Sequence, residues 1–128
     1  MLSPGEAALF WQQRSEDQRH ALEVARRALR DRPGDRGVAA AALLHDIGKR
    51  RVRLGAIRRS FATMLGRAGL PMPDSYRTYR DHGRLGASDL EAVGSSTLTV
   101  EFARHRPAAP PEGIDAHRWR TLLDADHG

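Results

Sequence analysis

Residues 38–49 read Val-Ala-Ala-Ala-Ala-Leu-Leu-His-Asp-Ile-Gly-Lys, a run of small and apolar residues that ends in a histidine, an aspartate and a glycine. Alanine and leucine strongly favour helix, and Gly48 is the residue type that most often ends one. The sequence therefore predicts a buried helix whose last turn presents the His45 imidazole and the Asp46 carboxylate together.

The pair His45 and Asp46 predicts a metal site, because a carboxylate at the end of an apolar helix needs a partner. Histidine nitrogen and aspartate oxygen are ligands of first-row divalent metals. The structural alternative is a histidine favoured by the helix dipole, followed by an aspartate that begins a turn. Which of the two interpretations is better supported depends on whether the rest of the chain supplies further ligands.

Length and composition predict one intracellular domain. A chain of 128 residues, 40% of them apolar and seven of them aromatic, has the size of a single domain over residues 1–128 with an Ala/Leu/Val core. It has no apolar run long enough to cross a bilayer, and residues 1–6 lack the basic start of a signal peptide, so we expect a soluble, cytoplasmic protein without a membrane partner. The absence of cysteine excludes thiolate ligands and disulfides.

The formal charge of +5 suits an anionic partner, either a phosphorylated small molecule or nucleic acid. The chain has 20 arginines and one lysine, and they are spread along it except for one cluster after the central motif: Lys49, Arg50, Arg51, Arg53, Arg58 and Arg59. Few aromatic residues are present to stack on bases, so nothing besides the charge supports nucleic acid. No feature indicates an oligomeric state.

The remaining pattern predicts an all-α bundle of about six to seven helices, without a strand of period-two alternation. Residues 3–6, Ser-Pro-Gly-Glu, form a capping box for a first helix that buries Leu9, Phe10 or Trp11. A second helix begins at Ser15 and ends at residues 32–35, Arg-Pro-Gly-Asp, with Leu22, Val24, Ala25, Ala28 and Leu29 as its apolar stripe. Later helices are predicted over 54–65, from Asp74 or Ser75 through a Gly-containing bend to Val93, over 97–105 and from Asp115 onward.

Four more potential ligands fall on or beside the apolar faces of predicted helices: His20, His82, His105 and Asp126. A polar group that faces a core needs a partner there, and each of these alone is explained by a hydrogen bond. Together with His45 and Asp46 they make four histidines and two aspartates, which one shared metal centre would account for. Asp124, His117 and His127 lie off these faces and are predicted to face solvent.

The ordered residues His20, His45-Asp46 and Asp126 resemble the His…His-Asp…Asp signature of the HD-domain metal-dependent phosphohydrolase superfamily. The resemblance covers about residues 16–126 and includes Arg-His-Ala-Leu-Glu-Val-Ala at 19–25, Ala-Leu-Leu-His-Asp-Ile-Gly-Lys at 42–49 and Leu-Leu-Asp-Ala-Asp at 122–126. It implies a single HD-type helical domain with the metal in the interior of the bundle.

In family members with two metals, two further histidines lie between the central motif and the last aspartate, and His82 and His105 match those positions. That pattern is similar to the HD-GYP subgroup, which cleaves cyclic dinucleotides. This chain lacks the Gly-Tyr-Pro element, and Arg104 stands where that subgroup has the first of two paired histidines. The resemblance implies one or two divalent ions, and the nitrogen and oxygen ligands favour Mn, Fe, Co or Mg.

The activity that the resemblance implies is hydrolysis of a phosphomonoester or phosphodiester, with a nucleotide as the expected substrate. Asp46 would bridge two ions, the metals would activate a water, and Lys49 would act with Asp46 in catalysis. Lys49, Arg50 and Arg53 are predicted to bind the phosphate. Two alternatives stay open: a di-iron oxygenase of the same fold, and a non-catalytic HD domain that regulates or binds a partner.

Overall fold

The computed structural model of the protein describes residues 2–52 and 82–127. In these ranges the chain forms six α-helices and no strand, which confirms the all-α prediction there: α1 (Pro4–Trp11), α2 (Ser15–Asp31), α3 (Arg36–Leu44), α4 (His82–Ala92), α5 (Thr97–Arg104) and α6 (Ala116–His127). A 3₁₀ helix, Ile47–Val52, follows α3. None of the helices in this part of the chain is long and apolar enough to cross a membrane. The predicted helix at 54–65 and the residues predicted to precede His82 in its helix lie outside the described ranges.

The predicted capping box begins α1. The backbone N–H of Glu6 donates to Ser3 Oγ at 3.2 Å, and the backbone N–H of Ser3 donates to Glu6 Oε1 at 3.0 Å. The second carboxylate oxygen of Glu6 accepts from the Ser95 hydroxyl at 2.7 Å. One carboxylate therefore both caps α1 and attaches it to the turn before α5.

Leu22, which is predicted to lie on the apolar stripe of α2, is exposed, and so is Trp11, one of the three alternatives for the buried residues of α1. In α1 the buried residues are Leu9 and Phe10, and Trp11 packs its ring edge-on against Phe10 from outside. The buried stripe of α2 is made of small residues: Ala21, Val24, Ala25 and Ala28. Ala21 therefore takes the place on the buried face that was predicted for Leu22, and α2 packs against its neighbours mainly through alanines.

Helix α3 is the central element of the bundle and is buried from Val38 to its end. Asp35 caps it by accepting from the Val38 N–H at 3.1 Å, and every residue from Val38 to Leu44 is buried. The helix contacts α1, α2, α5 and α6, and its alanine faces let these neighbours lie close. As a result, the residues that follow Leu44 leave the helix inside the protein.

Glycines in α4 allow it to contact the backbone of neighbouring segments closely, and two predictions about glycines are corrected here. Helix α4 runs through Gly83 and Gly86 without the predicted bend. A Cβ on Gly86 would lie 2.9 Å from the backbone nitrogen of Gly48, and one on Gly83 would lie 2.6 Å from the Arg104 carbonyl oxygen. Gly48 was predicted to end α3, but α3 ends at Leu44 with His45 as its C-cap. Gly48 instead gives α4 the room to pack against the turn after α3.

Helix α6 runs parallel to α3 and is held to it at its start. Asp115 caps α6 as predicted, by accepting from the Arg118 N–H at 2.8 Å. The Arg118 guanidinium donates to both carboxylate oxygens of Asp35, at 2.6 and 3.0 Å. Because Asp35 also caps α3, this ion pair fixes the first turns of the two helices against each other.

Candidate metal centre

His45 follows the last residue of α3, and its ring is completely buried, with 0% side-chain exposure. Its Nδ1 lies 2.6 Å from the Ala42 carbonyl oxygen, which makes Nδ1 the protonated donor. Its Nε2 lies 3.1 Å from Asp126 Oδ1 and 3.2 Å from Asp46 Oδ2, yet it forms a hydrogen bond of good geometry with neither. A buried ring nitrogen therefore faces two carboxylates without a hydrogen-bond partner in the protein.

Three helices bring four predicted ligands to this point. Asp46 follows His45 directly, His20 comes from α2 and Asp126 comes from α6. The His20 Nε2 lies 3.4 Å from Asp126 Oδ1, and ligand atoms of His20, His45 and Asp46 all lie within 4.8 Å of one another. His20 is the most exposed of the four, so the cluster is open to solvent on the α2 side.

Three separations within the cluster fit pairs of ligands that share one divalent ion. Two ligands that are each about 2.1 Å from a shared ion, at octahedral to tetrahedral angles, lie about 3.0–3.4 Å apart. The observed separations around His45 and Asp126 are 3.1, 3.2 and 3.4 Å. In addition, a metal-bound histidine usually donates its other N–H to a carbonyl, as His45 does to Ala42.

Charges within the cluster shift three pKa values strongly. Burial lowers the pKa of the His45 ring, but the contacts with Asp126 and Asp46 outweigh it and raise that pKa to about 9. Contact with His45 in turn lowers the pKa of Asp126 to about 2. Burial raises the pKa of Asp46, while His45, Lys49 and Arg106 together hold it below its ordinary value. The two carboxylates thus remain charged and favour a positive charge between them, either the protonated His45 ring or an ion that replaces the proton on its Nε2.

Lys49 is the one member of the predicted phosphate-binding set whose side chain the structure describes. It lies in the 3₁₀ helix, and its Nζ is 3.3 Å from Asp46 Oδ2 with the side chain partly exposed. The side chain of Arg50 and the whole of Arg53 lie outside the described part of the chain. Lys49 therefore places a positive charge at the rim of the cluster.

Of the two predicted ligands of a second ion, the described residues show the side chain of His105 alone, and it does not join this cluster. His105 is exposed, because α5 ends at Arg104 and His105 has an extended backbone with φ −163° and ψ 145°. The helical spacing from Leu98 and Phe102 therefore does not extend to His105, and its predicted inward placement is corrected. His82 is the first residue of α4, but its side chain lies outside the described part.

Three residues predicted to face solvent, Asp124, His117 and His127, are exposed. Asp124 lies two positions before Asp126 on the same helix, and it pairs with Arg120 at 3.4 Å on the surface. The stripe that contains Trp119 and Leu122 thus distinguishes the aspartate that reaches the cluster from the one that does not.

The sequence interpretation missed Arg106. Its Nη2 lies 3.5 Å from Asp46 Oδ1 and its Nε lies 3.8 Å from Asp126 Oδ2. Arg106 follows the end of α5 and precedes Pro107, so the chain is extended there and no helical periodicity indicates which way the side chain points. The one available signal is Pro107, because a helix usually ends at or before the residue that precedes a proline, which here is Arg106.

An aromatic contact series supports the buried side of the centre. The His45 ring packs against Phe102 with centroids 5.7 Å apart, and Phe102 packs edge-on against Trp119 at 5.4 Å. The indole N–H of Trp119 donates to the Pro107 carbonyl oxygen at 2.9 Å. These buried rings pack against His45 and limit the orientations of its ring.

Three comparisons with known proteins gave no match: no protein-family model matches the chain, and neither do curated proteins or solved structures. The resemblance to the HD-domain superfamily stays a prediction that depends on the motifs around His20, His45, Asp46 and Asp126.

Proposed function

We propose that the protein is a metal-dependent phosphohydrolase that acts on a phosphomonoester or phosphodiester, with a nucleotide as the expected substrate. The observation that supports this most directly is the buried Nε2 of His45, which faces Asp46 and Asp126 without a hydrogen bond. The same two carboxylates would hold a divalent ion, which would displace the proton that they favour on this nitrogen.

His20, His45, Asp46 and Asp126 would hold one divalent ion, and the two carboxylates would balance its charge. Two imidazoles and two carboxylates suit Mn, Fe or Co, and Mg is a further candidate. Such an ion supplies Lewis-acid activation of water and neutralises charge on a phosphoryl group. In this proposal Asp46 both binds the ion and orients the neighbouring Lys49.

Lys49 supports a phosphorylated substrate. Its ammonium group is 3.3 Å from Asp46 Oδ2 and belongs to a partly exposed side chain, so it reaches both the cluster and solvent. A phosphate bound at the cluster would accept a charge-assisted hydrogen bond from it. Arg50 and Arg53 stay predicted contributors on the strength of the sequence.

The described residues favour hydrolysis over the two alternatives. A di-iron oxygenase needs ligands for two ions, and the described residues at this cluster provide donors for one, with the side chain of His82 outside the described part of the chain. A purely regulatory domain has no need of clustered ligands, and here His20, His45 and Asp46 lie together, with Asp126 beside the two histidines.

The test is elemental analysis of the purified protein, followed by hydrolysis assays with each of Mn²⁺, Fe²⁺, Co²⁺ and Mg²⁺. The substrates are p-nitrophenyl phosphate, bis-p-nitrophenyl phosphate, nucleotides and cyclic dinucleotides. We expect turnover that requires a metal, is lost in Asp46→Asn and is retained in the surface control Asp124→Asn. Turnover in Asp46→Asn, or none in metal-loaded wild type, would refute the proposal. Iron-dependent oxygen uptake would instead identify an oxygenase.

A further inference from the structure

The two carboxylates of the cluster divide their oxygens in the same way. Asp46 directs Oδ2 toward His45 Nε2 at 3.2 Å and Oδ1 toward Arg106 Nη2 at 3.5 Å. Asp126 directs Oδ1 toward His45 Nε2 at 3.1 Å and Oδ2 toward Arg106 Nε at 3.8 Å. In both aspartates, one oxygen faces the histidine and the other faces the same guanidinium.

Arg106 is itself held in place by the end of α5 and the end of α3. Its Nη1 donates to the Phe102 carbonyl oxygen at 2.9 Å and lies 3.4 Å from the His45 carbonyl oxygen. Its guanidinium carbon lies 5.5 Å from the centre of the Phe102 ring. The planar group is therefore fixed by contacts that do not involve the carboxylates.

From this arrangement we infer that Arg106 is a positioning residue for the metal centre, which keeps one oxygen of each aspartate directed at the ion. The inference rests on the proposed metal site. A guanidinium presents several N–H donors in fixed directions, so it can contact two carboxylates at once while anchored elsewhere. Groups that orient metal ligands in this way commonly change metal affinity by about 10- to 100-fold when they are removed.

The competing interpretation is that Arg106 only adds positive charge beside a cation site. A nearby positive charge by itself weakens cation binding, so removing it would tighten binding. Loss of carboxylate orientation has the opposite effect. The direction of the change in metal affinity therefore distinguishes a positioning role from a charge effect.

The experiment is Co²⁺ titration of the full chain. Calorimetry measures the affinity, and the visible absorption of the bound ion reports its coordination geometry. Arg106→Met removes the charge and keeps an apolar stem over Phe102, and Arg106→Lys keeps the charge without the planar group. Arg120→Met is the matched control, since Arg120 and Arg106 line one groove of about 280 Å³ but Arg120 contacts Asp124.

We expect Co²⁺ affinity to fall about 10- to 100-fold in both Arg106 variants, with a changed absorption spectrum, and to stay at the wild-type value in Arg120→Met. Unchanged or tighter binding in Arg106→Met, or wild-type affinity and spectrum in Arg106→Lys, would overturn the inference and leave the metal centre intact. If Arg106→Met fails to fold by circular dichroism, Arg106→Lys decides the question. Wild type that binds no Co²⁺, Mn²⁺ or Fe²⁺ would refute the proposed function itself.

Discussion

Nε2 of His45 and Oδ1 of Asp126 lie 3.1 Å apart, so the last turns of the parallel helices α3 and α6 meet at the candidate metal centre. The first turns of the same helices are joined by Asp35 and Arg118. An ion bound by His45 and Asp126 would therefore stabilise the packing of α3 against α6.

Metal binding is expected to stabilise the fold through this contact. A ligand present at 100 times its Kd adds about 2.7 kcal/mol to the free energy of unfolding, so Mn²⁺ or Co²⁺ should raise the melting temperature by several degrees. The rise should disappear in Asp126→Asn and persist in Asp124→Asn, as measured by thermal denaturation with and without the ion. An equal rise in both variants would exclude Asp126 as a ligand.

His20 should matter for metal affinity and little for stability. Its side chain is 44% exposed, and substitutions at such positions usually change the free energy of unfolding by no more than about 0.5 kcal/mol. We therefore expect His20→Gln to unfold like wild type in metal-free urea titrations while binding Mn²⁺ at least about tenfold more weakly. His127→Gln, on the exposed side of α6, serves as the control and should bind Mn²⁺ normally.

Stability should depend on pH through Asp35. Hydrogen bonds and charge from Arg118, with a further contribution from Arg32, outweigh burial and hold the pKa of Asp35 well below its ordinary value of 3.8. The stabilisation is therefore present above the ordinary value and is lost as the pH falls toward the folded-state pKa. Asp35→Asn should cost about 1–2 kcal/mol near neutral pH, and the cost should shrink in acid. Urea denaturation over a pH series measures this difference, and a cost independent of pH would contradict it.

The contact between Gly86 and Gly48 should not tolerate a side chain. A Cβ at Gly86 would lie 2.9 Å from backbone, which cannot move aside as a flexible side chain can. We expect Gly86→Ala to cost about 1–3 kcal/mol and to weaken metal binding, because Gly48 lies two residues after Asp46. Ser88→Ala on the exposed face of α4 is the control, and it should be neutral or slightly stabilising. A stabilised Gly86→Ala variant would show that α4 and the 3₁₀ helix separate readily.

Local signals predicted much of the described fold correctly. Capping by Ser3 and Glu6 and the cap at Asp115 depend on hydrogen bonds between residues close in sequence. Helix α2 begins at Ser15 as predicted, although its N-cap residue Arg14 makes no side-chain capping hydrogen bond. The position of Asp126 followed from its place on the stripe with Trp119 and Leu122. Regular helices extend such spacing reliably as long as the helix continues.

The errors arose where a helix ended or where packing between helices decided the outcome. His105 lies one residue beyond α5, so its direction did not follow from helical spacing. Glycine commonly ends a helix, which is why Gly48 was predicted to end α3. In the structure it instead lies in close backbone contact with Gly86, and that contact between distant residues is not visible in the sequence. Arg106 has no periodic context, and its role depends on carboxylates that other segments supply.

The buried series His45, Phe102 and Trp119 gives the protein an internal optical reporter. The chain has two tryptophans, and Trp11 is exposed at the end of α1. Trp11→Phe would leave the indole of Trp119 alone, with only the Phe102 ring between it and the candidate ligand His45. Quenching of its fluorescence by a paramagnetic ion would record occupancy of the centre in solution, without a substrate and without a label.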